Sequence, residues 1–357
     1  MVLKSELAKR NLPDILTMAN KEPVTKENWE RRRHELVKIL ENEIYGRTPA
    51  SPESVWGEEV SVDENAFAGK ATYSVISICF DTLKGVFKFP VNLVVPNGIE
   101  KPKLFVFINF RPEVPDQYLP SEELVDGSFA VASFCYTDVV SDDDDFENGL
   151  SGMYIEGERA PDAWGKISMW AWAASRVLDV ILHMRSFDRD GIAIIGHSRL
   201  GKTALWCAAR DTRFQYAISN CSGCSGAALS RGKIGETIEK IYSSFPYWFC
   251  PNYQKYAGKE YEAPFDQHFL LAASAPRKVY VASAKEDSWA DPESEFLSCI
   301  AASEVYSMLG MNGFVSPDRL PWVGDTFHDG NIGYHLRTGT HYLSRYDWNA
   351  FMAYMNS

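Results

Sequence analysis

Ser198 stands in a segment that could do nucleophilic chemistry. The apolar run Ile192-Ala193-Ile194-Ile195 leads into Gly196-His197-Ser198-Arg199, and a helix-forming stretch from Leu200 to Trp206 follows at once. A strand, a tight turn and a helix in that order would hold the serine oxygen at the rim of a buried sheet. A serine hydroxyl is a weak nucleophile until it is exposed, oriented and paired with a base. The turn supplies the first two conditions, so partners must be sought elsewhere. In open parallel sheets, sites form at the carboxyl ends of strands. Of the seven histidines, His341 meets that filter best, on the Gly-containing loop Arg337-Thr338-Gly339-Thr340-His341 after the last strand-like run. His197 reads as a local packing or hydrogen-bonding residue, and His268 as a pocket residue and weaker base candidate. An orienting acid is offered by Lys285-Glu286-Asp287-Ser288-Trp289-Ala290-Asp291-Pro292. Asp287 is preferred because it follows a strand closely. Glu286 and Asp291 are the alternatives, and Asp291 is also placed to cap the next helix.

Other patterns compete. Gly196 to Thr203 satisfies G-x-x-x-x-G-K-[ST], between a strand and a helix as a P-loop requires. No apolar strand ending in a magnesium-binding Asp accompanies it, so this is the weaker reading. Cys221-Ser222-Gly223-Cys224 has metal-ligand spacing but no second Cys/His pair nearby, and reads as packing. The acidic run Ser141 to Glu147 suits a solvated loop better than a calcium site. Trp248, in Phe245-Pro246-Tyr247-Trp248-Phe249, is either a sugar-stacking surface or core. No cofactor and no metal is expected.

The elements that must position these residues can be read from periodicity. Residues 27–45 form an amphipathic helix, with Trp29, Leu36, Ile39, Leu40 and Ile44 on one side. Strands follow over 72–80 and 85–95, joined by a hairpin turn at 81–84. Residues 104–110 and 129–134 are short continuous apolar runs, as in strands buried on both faces. Helix and strand then alternate: a helix over about 166–184, the strand to Ser198, a helix to Ala209, and a strand at 216–219. A further strand spans 278–283, a helix runs through about 309, and a last strand (332–337) precedes a terminal helix (345–355). Antiparallel strands first and βα units afterwards predict an α/β domain with a mixed, mainly parallel sheet between helical layers. Residues 51–357 read as the catalytic domain and 1–50 as an N-terminal helical extension. The long irregular stretch 226–266 reads as a lid or substrate loop.

With 357 residues, 45% apolar, the chain can bury a large core. Its formal charge of −12 argues against nucleic acid and anionic membrane surfaces, which select for clustered Lys and Arg. No apolar run approaches the roughly 20 residues of a spanning helix. The N-terminus shows no apolar signal core, so a cytoplasmic location is expected, although a trimmed secretion signal would leave the same start. Seven scattered cysteines suit reduced thiols.

The order serine, acid, histidine is that of the α/β-hydrolases. With those residues in place, the chain resembles carbohydrate esterase family fifteen, the glucuronoyl esterases and their bacterial relatives. The likeness rests on Gly-x-Ser-Arg-x-Gly-Lys at Gly196–Lys202, with Ser222-Gly223, Gly226, Tyr247–Phe249, Ala275-Pro276-Arg277, the Glu286–Pro292 loop, Trp170, Trp172 and the late His341. It covers roughly residue 160 to the C-terminus, and the N-terminal half more loosely. It implies an α/β-hydrolase, a three-layer sandwich, that cleaves a uronic acid ester of glucuronoxylan. By that similarity Ser198 is the nucleophile, His341 the base and Arg199 an oxyanion contact. Lys202 would meet sugar hydroxyls and Trp289 would pack on the uronoyl ring. Two departures stand out. Fungal members carry a glutamate where this chain has Cys221, and a thiol with a reference pKa near 8.5 cannot replace it. Either the acid has moved to Asp287, as in some bacterial relatives, or the triad is impaired. The fungal disulfide beside the serine and histidine is also absent, its positions being His197 and Tyr342. The expected partner is a small-molecule or oligosaccharide ester, most simply a glucuronoyl ester. An acetyl xylan esterase and a catalytically impaired carbohydrate-binding relative are the alternatives.

Overall fold

Three long strands open the sheet: β1 (Val55–Asn65), β2 (Ala71–Thr82) and β3 (Gly85–Pro96). They pair antiparallel, β2 and β3 across the two-residue turn Leu83-Lys84. β1 is largely exposed and carries Glu58, Glu59, Asp63 and Glu64, charges that keep an open edge from pairing further. The computed structural model that shows this describes Val2 to Ser357.

The remaining strands are short and apolar. They are β4 (Lys103–Asn109), β5 (Phe129–Cys135), β6 (Ile192–His197), β7 (Tyr216–Asn220), β8 (Lys278–Ala284), β9 (Thr326–Phe327) and β10 (Ile332–Arg337). The sheet order is β1-β2-β3-β5-β4-β6-β7-β8-β10-β9. From β5 to β10 every neighbouring pair is parallel, as strands buried on both faces require. β5 joins β3 antiparallel, and β9 adds antiparallel at the far edge. Two residues carry no periodicity, so β9 left no trace in the sequence pattern.

Helices cover both faces. α1 (Val2–Arg10), α2 (Trp29–Leu40), α3 (Lys166–Met184), α4 (Arg199–Arg210) and α5 (Pro292–Met308) supply one core with Trp29, Leu36, Trp170, Trp206 and Phe296. α6 (Arg345–Met355) supplies the other with Trp348, Phe351 and Tyr354. The first fifty residues thus share the core of the central sheet through Leu3, Ile15, Met18 and Trp29. The helix expected over 27–45 ends at Leu40 and continues as one wide π turn, Glu41–Tyr45. That turn keeps Tyr45 facing inward, stacked on Trp206 at 4.5 Å with its hydroxyl donating to the Ser225 carbonyl at 2.8 Å. Among the described residues no helix is long and apolar enough to cross a membrane.

Candidate active site

Four adjacent strands end at one place. Ser198 follows β6, Cys221 follows β7, Asp287 lies just beyond β8 and His341 beyond β10. Backbone bonds stitch these ends together: Ser198 N donates to Asn220 O at 2.9 Å, Cys221 N to Ala282 O at 2.8 Å, and Glu286 N to Gly339 O at 3.0 Å.

Ser198 is the only residue between β6 and α4, at φ 59 and ψ −127. So sharp a reversal puts a non-glycine residue in a sparsely populated region, a strain found at functional sites. Its hydroxyl does not cap α4, so the oxygen is left for other chemistry. The turn closes because position 196 is glycine: a Cβ there would stand 2.0 Å from the Leu200 carbonyl oxygen. The usual small residue two after the serine is replaced by Leu200, which is fully buried, and Gly201 faces Ser219 and Ser222 instead. This geometry also removes the P-loop reading. A phosphate cradle needs several backbone N–H groups looped between strand and helix, whereas Gly196 and His197 still belong to β6 and Ser198 alone separates it from α4.

His341 Nδ1 stands 2.6 Å from Asp287 Oδ2. An ionised carboxylate only accepts hydrogen bonds, so Nδ1 carries the proton and Nε2 is free to accept one. Burial would raise the Asp287 pKa, but the hydrogen bond and charge of His341 and the Ala290 N–H outweigh it and hold the carboxyl below its ordinary value. The His341 side chain is 41% exposed and Asp287 3%. His341 and Ser198 both line a cavity of about 230 Å³ and an adjoining cleft against Phe110, Arg111 and Tyr118.

The histidine loop is lashed down by one side chain. Arg337 Nε donates to both Asp347 oxygens at 2.9 and 3.0 Å, and its terminal nitrogens donate to the carbonyls of Thr338, Thr340 and Tyr342. His197 supports the same loop from below. It packs on the His341 ring at 4.6 Å and bonds Asn220 Oδ1 through Nδ1 at 2.6 Å. Burial, then the charge of His341, pushes His197 down to about 3, so it stays neutral and local, as expected.

The opposite wall is polar and aromatic. Lys202 Nζ donates to Ser222 O at 2.6 Å and lies 3.3 Å from Glu236 Oε2. Trp289, 52% exposed, donates its indole N–H to Glu236 Oε1 at 3.2 Å. All three line the cavity with Ser198. Arg199 also lines it, ion-paired with Asp142 and lying 4.6 Å from the Trp248 ring centroid. Trp248 is buried, stacked on Phe245 at 4.0 Å and bonded to Asp142 Oδ1 at 2.6 Å. It is therefore a wall that seats Arg199 and not an open platform for a sugar face.

The pocket reading of His268 needs correction, and neither alternative acid meets His341: Asp291 takes the capping role that its position also suggested, and Glu286 stays at the surface. His268 is not a pocket residue: it is buried at the start of the short helix His268–Ala272, with Nε2 3.1 Å from Pro13 O. It anchors the N-terminal segment to the core. Asp291 caps α5, accepting from Ser294 N, Ser294 Oγ and Ile234 N, so both its oxygens are spent. Glu286 is exposed on the loop surface and makes no bond to His341. The acidic run is also more than a solvated loop, because Lys166 binds Ser141, Asp143 and the Asp145 carbonyl while Arg199 takes Asp142. Asp142 and Glu236 were not singled out from the sequence. The length of the 226–266 stretch was the one pointer to Glu236, and the charge of 141–147 masked the pairing of Asp142. Among the described residues, one group of potential metal donors converges: Cys221, Asp287 and His341, with ligand atoms within 4.8 Å of one another.

Proteins similar to this chain in sequence or in structure carry related names. The family model for fungal glucuronyl esterases matches residues 84–310. Carbohydrate esterase MZ0003, from an unknown prokaryotic organism, is 32% identical over 393 residues, covering 98% of this chain and 90% of its own length. A 4-O-methyl-glucuronoyl methylesterase of Schizophyllum commune is 27% identical, covering 84% of this chain and 74% of that protein. The glucuronoyl esterase structure from Solibacter usitatus superposes with a TM-score of 0.89 at 32% identity, covering 97% of each chain.

Proposed function

Since the chain belongs to the glucuronoyl esterases of carbohydrate esterase family fifteen, α/β-hydrolases that cleave carboxylic esters of carbohydrates, we propose that its substrate is a glucuronoyl ester, with 4-O-methyl-glucuronoyl esters preferred, and that Ser198, His341 and Asp287 form its triad. Ser198 Oγ attacks the ester carbonyl while His341 Nε2 takes the hydroxyl proton. Asp287 holds the ring in the required tautomer and stabilises the imidazolium that forms. The tetrahedral oxyanion faces the N-terminus of α4 and the Arg199 guanidinium, which stabilise developing charge more than the neutral ester. Asp142 and Trp248 fix that guanidinium before substrate arrives. His341 then gives its proton to the departing alcohol, leaving an acyl-enzyme, and the steps run again with water in the alcohol's place. Lys202 and Glu236 present a donor and an acceptor to sugar hydroxyls, and Trp289 offers an apolar face to the ring.

The observation that carries this reading is the His341–Asp287 bond opening onto the cavity that holds Ser198 and, opposite, Lys202, Glu236 and Trp289. A base–acid pair alone would suit any ester. The hydroxyl-binding wall beside it supports an ester carried on a sugar. Purified protein assayed with methyl 4-O-methyl-glucuronate, p-nitrophenyl acetate and acetylated xylan tests this directly. Efficient turnover of the glucuronate ester is expected. Activity confined to the acetyl esters would replace the substrate assignment, and no turnover of any ester by folded protein would remove the triad.

A further inference from the structure

The end of β7 holds a thiol that the ester chemistry does not use. Cys221 is buried, its backbone takes a left-handed turn at φ 47, and its sulfur makes no hydrogen bond among the described residues. It lines the cavity with Ser198 and His341. Its sulfur, a ring nitrogen of His341 and a carboxylate oxygen of Asp287 all lie within 4.8 Å of one another. One soft, one borderline and one hard donor, drawn from the ends of three adjacent strands, make a set that suits zinc and its neighbours and not magnesium or calcium. Charge points the same way. Asp287 is anionic, and a bound thiolate would bring the donor set to −2, matched by a divalent cation. Glu295 lies close behind, bonded to Gly223 N and Ser283 Oγ at 2.8 and 2.6 Å. The fourth position would open toward the cavity and admit water.

We propose that Cys221, Asp287 and His341 form an inhibitory site for a thiophilic divalent cation of the zinc class, which stops the esterase by withdrawing His341 from proton transfer. The consequence for activity rests on the triad assignment above; the binding does not. On coordination the Cys221 thiol loses its proton to solvent, and the metal–sulfur bond replaces S–H. If the metal takes Nδ1, the ring proton moves to Nε2, which can no longer accept from Ser198. If it takes Nε2, the accepting lone pair is occupied. Either way the base is lost while Ser198 and the sugar wall are untouched. A buried thiol is ordinarily hard to ionise, and burial together with Glu295 and Asp287 pushes this one up. A metal overcomes that cost only where further ligands stand close by, as His341 and Asp287 do here, within 4.8 Å of the sulfur.

The test uses the full chain, stripped with EDTA and then titrated with Co²⁺, Zn²⁺ or Mg²⁺. A near-ultraviolet thiolate-to-cobalt charge-transfer band is expected in the wild type and not in Cys221→Ser or Cys221→Ala. Because it reads binding and not turnover, this arm stands even if the ester assignment fails. With a cleaved ester in hand, Zn²⁺ should inhibit reversibly and Mg²⁺ should not. Measured against each protein's own zinc-free rate, the Cys221 variants should need at least about tenfold more Zn²⁺ for half-inhibition than the wild type, since even partners one shell out from a ligand cost 10–100-fold in metal affinity. Absence of the cobalt band in the wild type would overturn the site. So would equal zinc sensitivity of the wild type and either folded variant.

Discussion

Two hollows lie at opposite ends of α4. At its C-terminal end a cavity of about 430 Å³ is lined by Trp206, Cys207, Arg210, Arg176, Arg213 and the Thr48–Ser51 segment. At its N-terminal end is the cavity of about 230 Å³ with Ser198, Lys202 and His341. The larger one is rich in charge, but its charges are spent: Arg176 and Arg213 pair with Asp179, Arg213 also with Asp211, and Arg210 with Glu41. The smaller keeps groups in reserve. The Ser198 hydroxyl caps nothing, and the Nε2 side of His341 is open. The same helix explains both ends. Its first N–H groups and positive dipole face the serine, while arginines gather at its carbonyl end. Volume alone would favour the larger hollow; uncommitted polar groups at the carboxyl ends of strands favour the smaller, which is the site we propose.

The contrast can be broken from either side. Ser198→Ala should have the largest effect, a loss in kcat of about a millionfold by analogy with serine hydrolases whose nucleophile is removed, with an unchanged melting temperature. A residual rate near that of the wild type would move the chemistry elsewhere. Asp287→Asn should cost about 10⁴-fold in kcat through the wrong imidazole tautomer. Glu286→Gln should leave turnover as it was. Asp291→Ala, at a helix cap, should register as lost stability of about 1 kcal/mol in denaturant titration. Arg337→Gln loosens the loop that carries His341 and should lower kcat by about a hundredfold, the scale of an ångström's misplacement. Its KM should stay close to wild type, because Arg337 touches no part of the cavity; a change in KM alone would point to a merely structural role.

Smaller effects belong to groups outside the proposed triad. Burial pushes His268 down to about 4, against an ordinary 6.5, and His197 behaves likewise. The unfolded chain then binds more protons than the folded one below about pH 6.5, so stability is lost as pH falls toward 4. Glu295 acts in the opposite sense. Burial raises it from 4.5 to about 7, so its contribution is complete below pH 4.5 and lost as pH rises through 7. Melting curves should show the acid limb, and His268→Gln should flatten it. Least of all, Arg210→Gln in the larger hollow removes a partly exposed ion pair with Glu41 and should cost at most about 1 kcal/mol. Esterase activity should not move, and a large loss there would erase the distinction between the two ends of α4.

What could be read from the chain follows the same division. The β6–Ser198–α4 unit was visible because it is contiguous: an apolar strand, a glycine, a serine and a helical run occupy adjacent positions. Asp287 and His341 could be inferred because each stands just past a strand in the order serine, acid, histidine. Glu236 and Asp142 were not, because they act through partners distant in sequence, Lys202 and Arg199, and no period marks them. His268 misled for a related reason. It read as a pocket residue, while the contact that fixes it reaches back to Pro13, far away in sequence. The aromatic cluster was ambiguous by nature, since stacking on Phe245 and bonding to Asp142 turn the same Trp248 from an open face into a wall.

The central claim is that Asp287 acts only through His341. Rates of glucuronate ester cleavage should be measured for Asp287→Asn, His341→Ala and the double variant. If the two side chains form one device, the aspartate substitution costs about 10⁴-fold in the wild-type background and nothing further once the imidazole is gone. An equal penalty in both backgrounds would contradict it, and would mean that the bond between them is not what drives the reaction.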